Sequence, residues 1–206
     1  MTRDSTQWNH LFLTGVACVG KTTVGRELAR LLRVNFFDLD HEIEQFFGAS
    51  IAQLQSRWVT AYSYRLEAAK ALTHVLSVPE SQDSVIAMPP SGLMTPYLRI
   101  IRKSGGIAVV IADTPENILE RITFYDTESR LIEKTLTVDE KPLYLREIKK
   151  DITYFRRSYA RAHLRVDISD LTPTDAAYRV KEAIEAYPGL QTGSYESEDA
   201  DARGFR

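Results

Sequence analysis

Eight consecutive residues near the start of the chain match a pattern that binds phosphate. The pattern is G-x-x-x-x-G-K-[ST], and its residues here are Gly15, Val16, Ala17, Cys18, Val19, Gly20, Lys21 and Thr22. The two glycines permit backbone angles that let successive N–H groups surround an anion. Lys21 adds a point charge for the β and γ phosphates, and Thr22 offers a hydroxyl to Mg²⁺. The pattern therefore predicts binding of a nucleoside triphosphate with Mg²⁺.

The residues on either side of this loop are typical of a strand and a helix. Residues 10–14 form a short apolar run, and residues 23–32, starting at Thr23, have the apolar spacing of an amphipathic helix. A helix that begins at the loop turns the positive end of its dipole toward the bound anion. This context favours phosphate binding over a structural glycine turn that happens to precede a lysine.

Two carboxylates follow the second predicted strand, which covers residues 34–37. They are Asp38 and Asp40. Open α/β folds bind their ligands at the carboxyl ends of strands. If the chain stays extended here, alternation points both side chains to the same side. The alternative is that Asp40 caps the helix that begins at His41, and that the other acid is solvated.

Strand and helix patterns alternate along the whole chain. The five strand candidates are 10–14, 34–37, 84–88, 107–112 and 164–168. This alternation predicts an α/β fold in three layers, α/β/α, with a five-stranded parallel sheet.

One domain is predicted over residues 1–187. Within it we expect a helix from 114 to about 125 and a lid at about 126–145, where the chain is charged and weakly periodic. Residues 188–206 are rich in Gly, Ser, Glu and Asp and predict a flexible acidic tail.

Charge and composition restrict the classes of partner. The net charge of -2 is not that of a polyanion-binding protein, so we expect no nucleic acid partner. No apolar run reaches the roughly 18 residues of a membrane span, and residues 1–7 do not have the apolar core expected of a signal peptide. The single cysteine excludes an internal disulfide framework. We expect a cytoplasmic enzyme, monomeric or a weak homodimer, that acts on a small molecule.

Two stretches together resemble the shikimate kinase family. They are residues 15–29 and the Phe-Phe-Asp-Leu-Asp-His-Glu-Ile-Glu segment at 36–44. The resemblance implies a P-loop kinase with a closing lid, ATP and Mg²⁺ as cofactors, and a small substrate with a hydroxyl acceptor. It also implies that Asp38 supports the Mg²⁺ shell, and that Asp40 orients and deprotonates the acceptor. Phosphoryl transfer needs such positioning and charge neutralisation more than covalent chemistry.

Arginines further along the chain also resemble residues of that family. Arg121 resembles the arginine on the adenine side, and Arg130 resembles the lid arginine that reaches the transferring phosphate. Arg156 or Arg157 resembles the late arginine that binds the substrate carboxylate. Lys21, Asp40 and Arg130 are thus the implied catalytic residues.

The acceptor half of the sequence departs from the family. Tyr64 stands where the family has a second carboxylate-binding arginine. Its neighbour Arg65 is a substitute only if it turns inward, since adjacent helix positions face about 100° apart. Pro89-Pro90-Ser91 replaces a glycine triplet, and proline has no N–H to donate.

Three hypotheses follow from an intact nucleotide half and an altered acceptor half. The first is a kinase for another small hydroxylated metabolite, and the second is a divergent but active shikimate kinase. The third is a catalytically weak paralogue that binds nucleotide and serves as a regulatory or partner-binding module. Retention of both Asp38 and Asp40 favours an enzyme. Three aromatic residues suggest a less charged or more planar substrate than shikimate, unless they only pack helices: Trp58, Tyr62 and Tyr64.

Overall fold

A central parallel sheet organises the chain, of which the computed structural model describes residues 8–188. Its strands are β1 (His10–Thr14), β2 (Asn35–Asp38), β3 (Ser84–Ala87), β4 (Ile107–Ala112) and β7 (Leu164–Asp167). Two short strands, β5 (Phe124–Tyr125) and β6 (Leu131–Ile132), form a separate antiparallel hairpin. The predicted tail at 188–206 lies outside the described residues except for Pro188.

The strand order in the sheet is β2-β3-β1-β4-β7, and every neighbouring pair is parallel. Strands β1 and β3 are buried along their whole length, as is β4 up to its last residue. Continuous apolar strands of this kind need helices on both faces. The predicted α/β fold with a five-stranded parallel sheet is confirmed.

Eight helices cover the sheet in the described part of the chain. They are α1 (Lys21–Leu32), α2 (Leu39–Phe47), α3 (Ile51–Arg57), α4 (Ala61–Val75), α5 (Thr95–Ser104), α6 (Pro115–Glu120), α7 (Lys141–Tyr159) and α8 (Pro173–Glu185). Helix α1 packs on α8, while α4 contacts both α2 and α5. Within residues 8–188, no helix combines the length and apolarity that crossing a membrane requires.

Two local predictions were wrong. Helix α6 ends at Glu120, and Phe124–Tyr125 extends instead into the hairpin, where Phe124 packs on the ring of Tyr144. Asp40 does not continue an extended strand, because α2 already begins at Leu39. The helix cap is Asp38, whose side chain accepts the N–H of Asp40 at 3.2 Å.

The register of the sheet brings three strand ends to one edge. Asp38 at the end of β2 lies beside Ala87 at the end of β3, and Leu13 of β1 pairs with Ala87 on its other side. The phosphate-binding loop follows β1 directly. Loop and carboxylates therefore meet at the carboxyl edge of the sheet, where the strand order reverses and open α/β folds bind ligands.

Candidate active site

The loop at 15–22 adopts backbone angles that only some of its residue types allow. Gly15 has φ +154° and Gly20 has φ +107°, both in the region that side chains with a Cβ rarely adopt. A Cβ on Gly15 would lie 2.6 Å from the carbonyl oxygen of Ile111. The loop is thus pressed against the end of β4, and α1 begins directly after Gly20.

Lys21 directs its ammonium group into this loop. Its Nζ donates to the carbonyl oxygens of Gly15 at 3.0 Å and Val16 at 2.9 Å. Burial lowers the pKa of Lys21, and the neighbouring charge of Asp40 opposes that effect. The positive charge is therefore fixed where the N-terminus of α1 also attracts phosphate.

Thr22 and Asp38 form a pair next to the lysine. The Thr22 hydroxyl donates to Asp38 Oδ2 at 2.6 Å, while Asp38 Oδ1 caps α2. A hydroxyl and a carboxylate held in one place are the hard oxygen donors that Mg²⁺ prefers. These two residues fit the predicted metal position.

Asp40 lies in the first turn of α2, beside the loop. Its pKa is raised to about 6, chiefly because of burial, and Asp38 and Glu44 raise it further. Lys21 lowers it in part. Asp40 is therefore an anion above about pH 6 and holds a proton below it, as expected of a general base that works near neutral pH.

These groups share an open cavity of about 620 Å³. Its other wall includes Met88, Pro90 and two hairpin-side residues, Arg121 and Tyr125. The loop residues and carboxylates that line it are Ala17, Cys18, Gly20, Lys21, Thr22, Thr23, Asp38 and Asp40. The structure thus brings together most of the predicted nucleotide, metal and base residues.

Arg121 is held in this cavity by a partner that the sequence analysis missed. Its guanidinium forms an ion pair with Asp113, which follows β4. Burial alone would raise the pKa of Asp113, but hydrogen bonds from Arg121, Asn117 and the Thr114 N–H together lower it. Asp113 comes one residue after a buried strand, so the rule of strand carboxyl ends could have identified it.

Three predicted arginines are not among the residues that line this cavity. Arg130 is exposed at the hairpin and pairs with Glu128. Arg156 and Arg157 are exposed on α7, whereas Phe155 and Tyr159 of the same helix pack inward. The structure does not bring these three arginines to the predicted positions, because their side chains lie on solvent-facing surfaces.

Two further tyrosines act on residues of this cavity without lining it: Tyr64 senses the charge of Asp40, and Tyr159 contacts Pro90. The ring of Tyr64 packs on Trp58, with 6.0 Å between centroids. The Tyr159 hydroxyl donates to the carbonyl oxygen of Pro90 at 3.0 Å and so fixes the segment after β3. No spacing in the sequence indicates a role for Tyr159, since the contact depends on how α7 packs.

The tip of the hairpin contacts the helices that follow Asp40. The Ser129 hydroxyl donates to Glu44 on α2, and the Ser50 hydroxyl donates to the carbonyl oxygen of Thr127. Glu44 also accepts the N–H of Ile51 at 2.8 Å. Part of the segment predicted as a lid therefore rests on the acceptor side.

A parallel sheet with this loop, lysine and carboxylate arrangement defines a P-loop protein that binds a nucleoside triphosphate. The family described as Shikimate kinase matches residues 17–185, and the chain belongs to that family. It is an ATP-dependent small-molecule kinase with an alcohol group as acceptor, as predicted, and ATP and Mg²⁺ are the cofactors of the family.

Individual relatives support this assignment along most of the chain. A shikimate kinase of Caldanaerobacter subterraneus subsp. tengcongensis is 29% identical over 182 residues, 88% of this chain and 98% of the relative. A shikimate kinase of Microcystis aeruginosa is 30% identical over 88% of this chain and 92% of its own.

Solved structures agree with the fold. Shikimate kinase from Acinetobacter baumannii in complex with shikimate has a TM-score of 0.68 and 26% identity, covering 88% of this chain and 95% of that one. A gluconokinase from Sinorhizobium meliloti has a TM-score of 0.58 at 15% identity, covers 89% of this chain and 95% of that one, and shows the fold alone.

Proposed function

We propose that this kinase transfers the γ-phosphate of ATP to a hydroxyl of a shikimate-like acid, a small ring that carries hydroxyls and a carboxylate. The supporting observation is the position of Asp40, which lies beside Lys21 with a pKa of about 6. A buried carboxylate with that pKa is suited to accept a hydroxyl proton at neutral pH. The relatives named shikimate kinase supply the acceptor class.

Each residue of the site has a defined task in this reaction. Asp40 accepts the proton as the acceptor oxygen forms its bond to the γ-phosphorus, and ADP leaves with the electrons of the broken P–O bond. Lys21 and the loop N–H groups balance the charge on the phosphates. Thr22 and Asp38 would hold Mg²⁺, which neutralises phosphate charge when it is bound.

A coupled assay of ADP release tests this function. With Mg²⁺ and ATP, shikimate should stimulate ADP release, and Asp40→Asn should lower turnover by orders of magnitude while leaving ATP binding intact. Lys21→Ala should weaken ATP binding or abolish transfer. Unchanged turnover in both variants would refute the proposal. If Asp40→Asn loses ATP binding as strongly as turnover, Asp40 acts in nucleotide binding and is not specifically the base for the acceptor hydroxyl.

A different hydroxylated acceptor is the second candidate. Two observations favour it: Tyr64 replaces an expected arginine, and Pro89-Pro90 replaces two expected donors. Confirmed ATP binding without stimulation by shikimate would select this candidate. Activity with another hydroxylated acid, still dependent on Asp40, would then identify the substrate.

We also propose that the enzyme works in the cytoplasm as a monomer or weak homodimer. The single cysteine and the small-molecule chemistry support a reducing compartment. Sedimentation velocity over a range of protein concentrations would test the oligomeric state.

A further inference from the structure

One buried carboxylate after β4 uses its two oxygens for two different purposes. The side chain of Asp113 is completely buried. Its Oδ1 accepts the N–H of Thr114 at 2.7 Å and the side-chain amide of Asn117 at 2.8 Å, both at the start of α6. Its Oδ2 accepts a hydrogen bond from the guanidinium group of Arg121. One oxygen thus anchors a helix, while the other holds an arginine that lines the cavity.

Arg121 is held from one side and open to the cavity on another. Its side chain is 40% exposed, and it lines the cavity together with Thr123 and Tyr125. An arginine side chain has several rotatable bonds, so an exposed one loses much conformational freedom when it is fixed. Asp113 can fix it because the carboxylate is itself held by two further hydrogen bonds. The guanidinium group is therefore kept at the cavity wall before any ligand binds.

The place of this pair along the sheet determines which part of a nucleotide it meets. Asp38 ends β2, and the phosphate-binding loop follows β1 in the middle of the sheet. Asp113 follows β4, on the side of β1 away from β2. When the γ-phosphate is directed toward Asp38 and Asp40, the base of the nucleotide extends toward β4. Arg121 is thus at the base end of the cavity.

A guanidinium group suits a nucleobase only when its plane has a fixed orientation. Arginine stacks on flat aromatic rings, and nucleobases stack on guanidinium planes. The carboxylate of Asp113 cannot make such a contact itself, since it is buried and both of its oxygens already accept hydrogen bonds. The two Oδ1 contacts would be sufficient to anchor α6. The Oδ2 contact therefore calls for a separate explanation.

We propose that Asp113 is a positioning residue for the nucleobase, which it orients by holding Arg121 through Oδ2. The inference deepens the proposed function, on which it rests for the nucleotide as substrate. Asp113 touches no substrate, and the chemistry occurs at Lys21 and Asp40, at the other end of the cavity. The residue contributes to the affinity for the whole nucleotide and leaves the affinity for its phosphates unchanged.

Replacement of Asp113 by asparagine separates the two oxygens. Asp113→Asn keeps an oxygen for the two donors of α6 but presents an NH₂ group to Arg121, and two donors cannot pair. Calorimetric titration of the full chain with Mg²⁺-ATP and with Mg²⁺-tripolyphosphate, which has no base, measures the effect. Asp113→Asn and Arg121→Gln should each weaken ATP binding roughly threefold to tenfold, as expected for loss of a base stacked on arginine. Neither variant should change the binding of tripolyphosphate.

A double-mutant cycle tests whether Asp113 acts through Arg121. In the Arg121→Gln background, Asp113→Asn should weaken ATP binding no further, because the side chain to be positioned is absent. In the transfer assay, Asp113→Asn should raise KM for ATP with little change in kcat.

Two other residues of α6 provide matched controls. Glu116→Gln removes a carboxylate that pairs with Lys149 and does not line the cavity, and it should bind both ligands as the wild type does. Asn117→Ala removes one of the Oδ1 contacts and keeps the pair with Arg121. It should lower the melting temperature without changing the affinity for ATP or tripolyphosphate.

Several outcomes would overturn the inference. Additive losses of ATP affinity in the double variant would do so, as would wild-type ATP affinity in Asp113→Asn. Equal weakening of ATP and tripolyphosphate binding would place the defect at the phosphate-binding loop. If Asp113→Asn lowers only the melting temperature, Asp113 is a structural residue of α6.

Failure of the proposed function gives a different result. ATP binding that depends on Asp113 and Arg121, without ADP release stimulated by any hydroxylated acid tested, would refute the kinase proposal and leave the positioning role established. Transfer to shikimate with an unchanged KM for ATP in Asp113→Asn would do the reverse.

Discussion

At the scale of single residues, burial shifts the pKa values of Asp40 and Lys21 in opposite directions. Burial raises the pKa of Asp40 to about 6 and lowers the pKa of Lys21. Each group also favours the charged form of the other, since opposite charges attract at short range. A base is thereby tuned toward neutral pH directly beside the phosphate-binding lysine.

The rate of phosphoryl transfer should follow the titration of Asp40. Above about pH 6 the carboxylate is ionised and accepts the hydroxyl proton; below it the group is protonated and kcat/KM for the acceptor should fall tenfold per pH unit. The measurement is kcat/KM from pH 5 to 8 at saturating ATP. A profile without a break in that range would mean that Asp40 is not the base in the enzyme–ATP complex.

The nucleotide residues could be predicted from sequence because the loop is contiguous. The residue types from Gly15 to Thr22 determine the backbone conformation of the loop, and the helix that follows holds it in place. Arg156 and Arg157 could not be placed, since a shift of two or three positions on a helix decides whether a side chain faces solvent. Tyr159 depends on Pro90, a partner far away in the chain, and has no local pattern.

At the scale of elements, the hairpin of β5 and β6 connects the nucleotide and acceptor sides. It follows Arg121, and its tip contacts α2 through Ser129 and Glu44. Glu44 lies one turn after Asp40 on the same helix and raises its pKa. Contacts at the hairpin tip therefore influence the environment of the base. We propose that this hairpin is the moving part of the predicted lid.

Removal of the Ser129 hydroxyl should loosen the hairpin. Ser129→Ala loses the hydrogen bond to Glu44, so amide exchange across residues 124–132 should accelerate and KM for the acceptor should rise about twofold to tenfold. Hydrogen exchange by mass spectrometry and steady-state kinetics measure the two effects. Ser56→Ala is the control, because that hydroxyl donates only within its own helix, to Gln53. Identical exchange in both variants would refute a docking role.

The regular elements followed from sequence much better than the hairpin did. Apolar runs such as 107–112 predict buried strands because their pattern comes from the core they enter. Residues 124–132 are partly polar, and their two strands pair with each other and with no other strand of the described residues. Phe124 is held by the distant Tyr144. A two-residue strand that depends on a tertiary contact leaves no periodic signal.

At the scale of the whole molecule, the active site lies at the carboxyl edge of the sheet, where several negatively charged side chains come together. Asp38, Asp40 and Glu44 stand within one stretch of seven residues near the edge of the sheet. Placing a buried carboxylate next to two others opposes folding, because its charged form is better stabilised in the unfolded chain. The ionised base therefore lowers the free energy of unfolding of the protein.

Replacement of Asp40 should stabilise the protein while it abolishes transfer. The pKa of Asp40 is about 6 in the folded state and 3.8 in the unfolded state, so the folded state binds the proton more tightly. Wild-type stability accordingly falls as pH rises from about 4 to 6, and the full cost remains above pH 6. Asp40→Asn removes that cost and should add about 1–3 kcal/mol to the free energy of unfolding at pH 7.5.

The pH dependence separates this effect from general changes in packing. The advantage of Asp40→Asn over the wild type should shrink as pH falls from 6 to 4, because the protonated wild type no longer carries the buried charge. Urea unfolding of both proteins at several pH values measures the difference. Asp139→Asn, at an exposed acid before α7, is the control and should show no such trend. An advantage that is constant with pH would show that the amide packs better, and that the Asp40 charge costs the fold nothing.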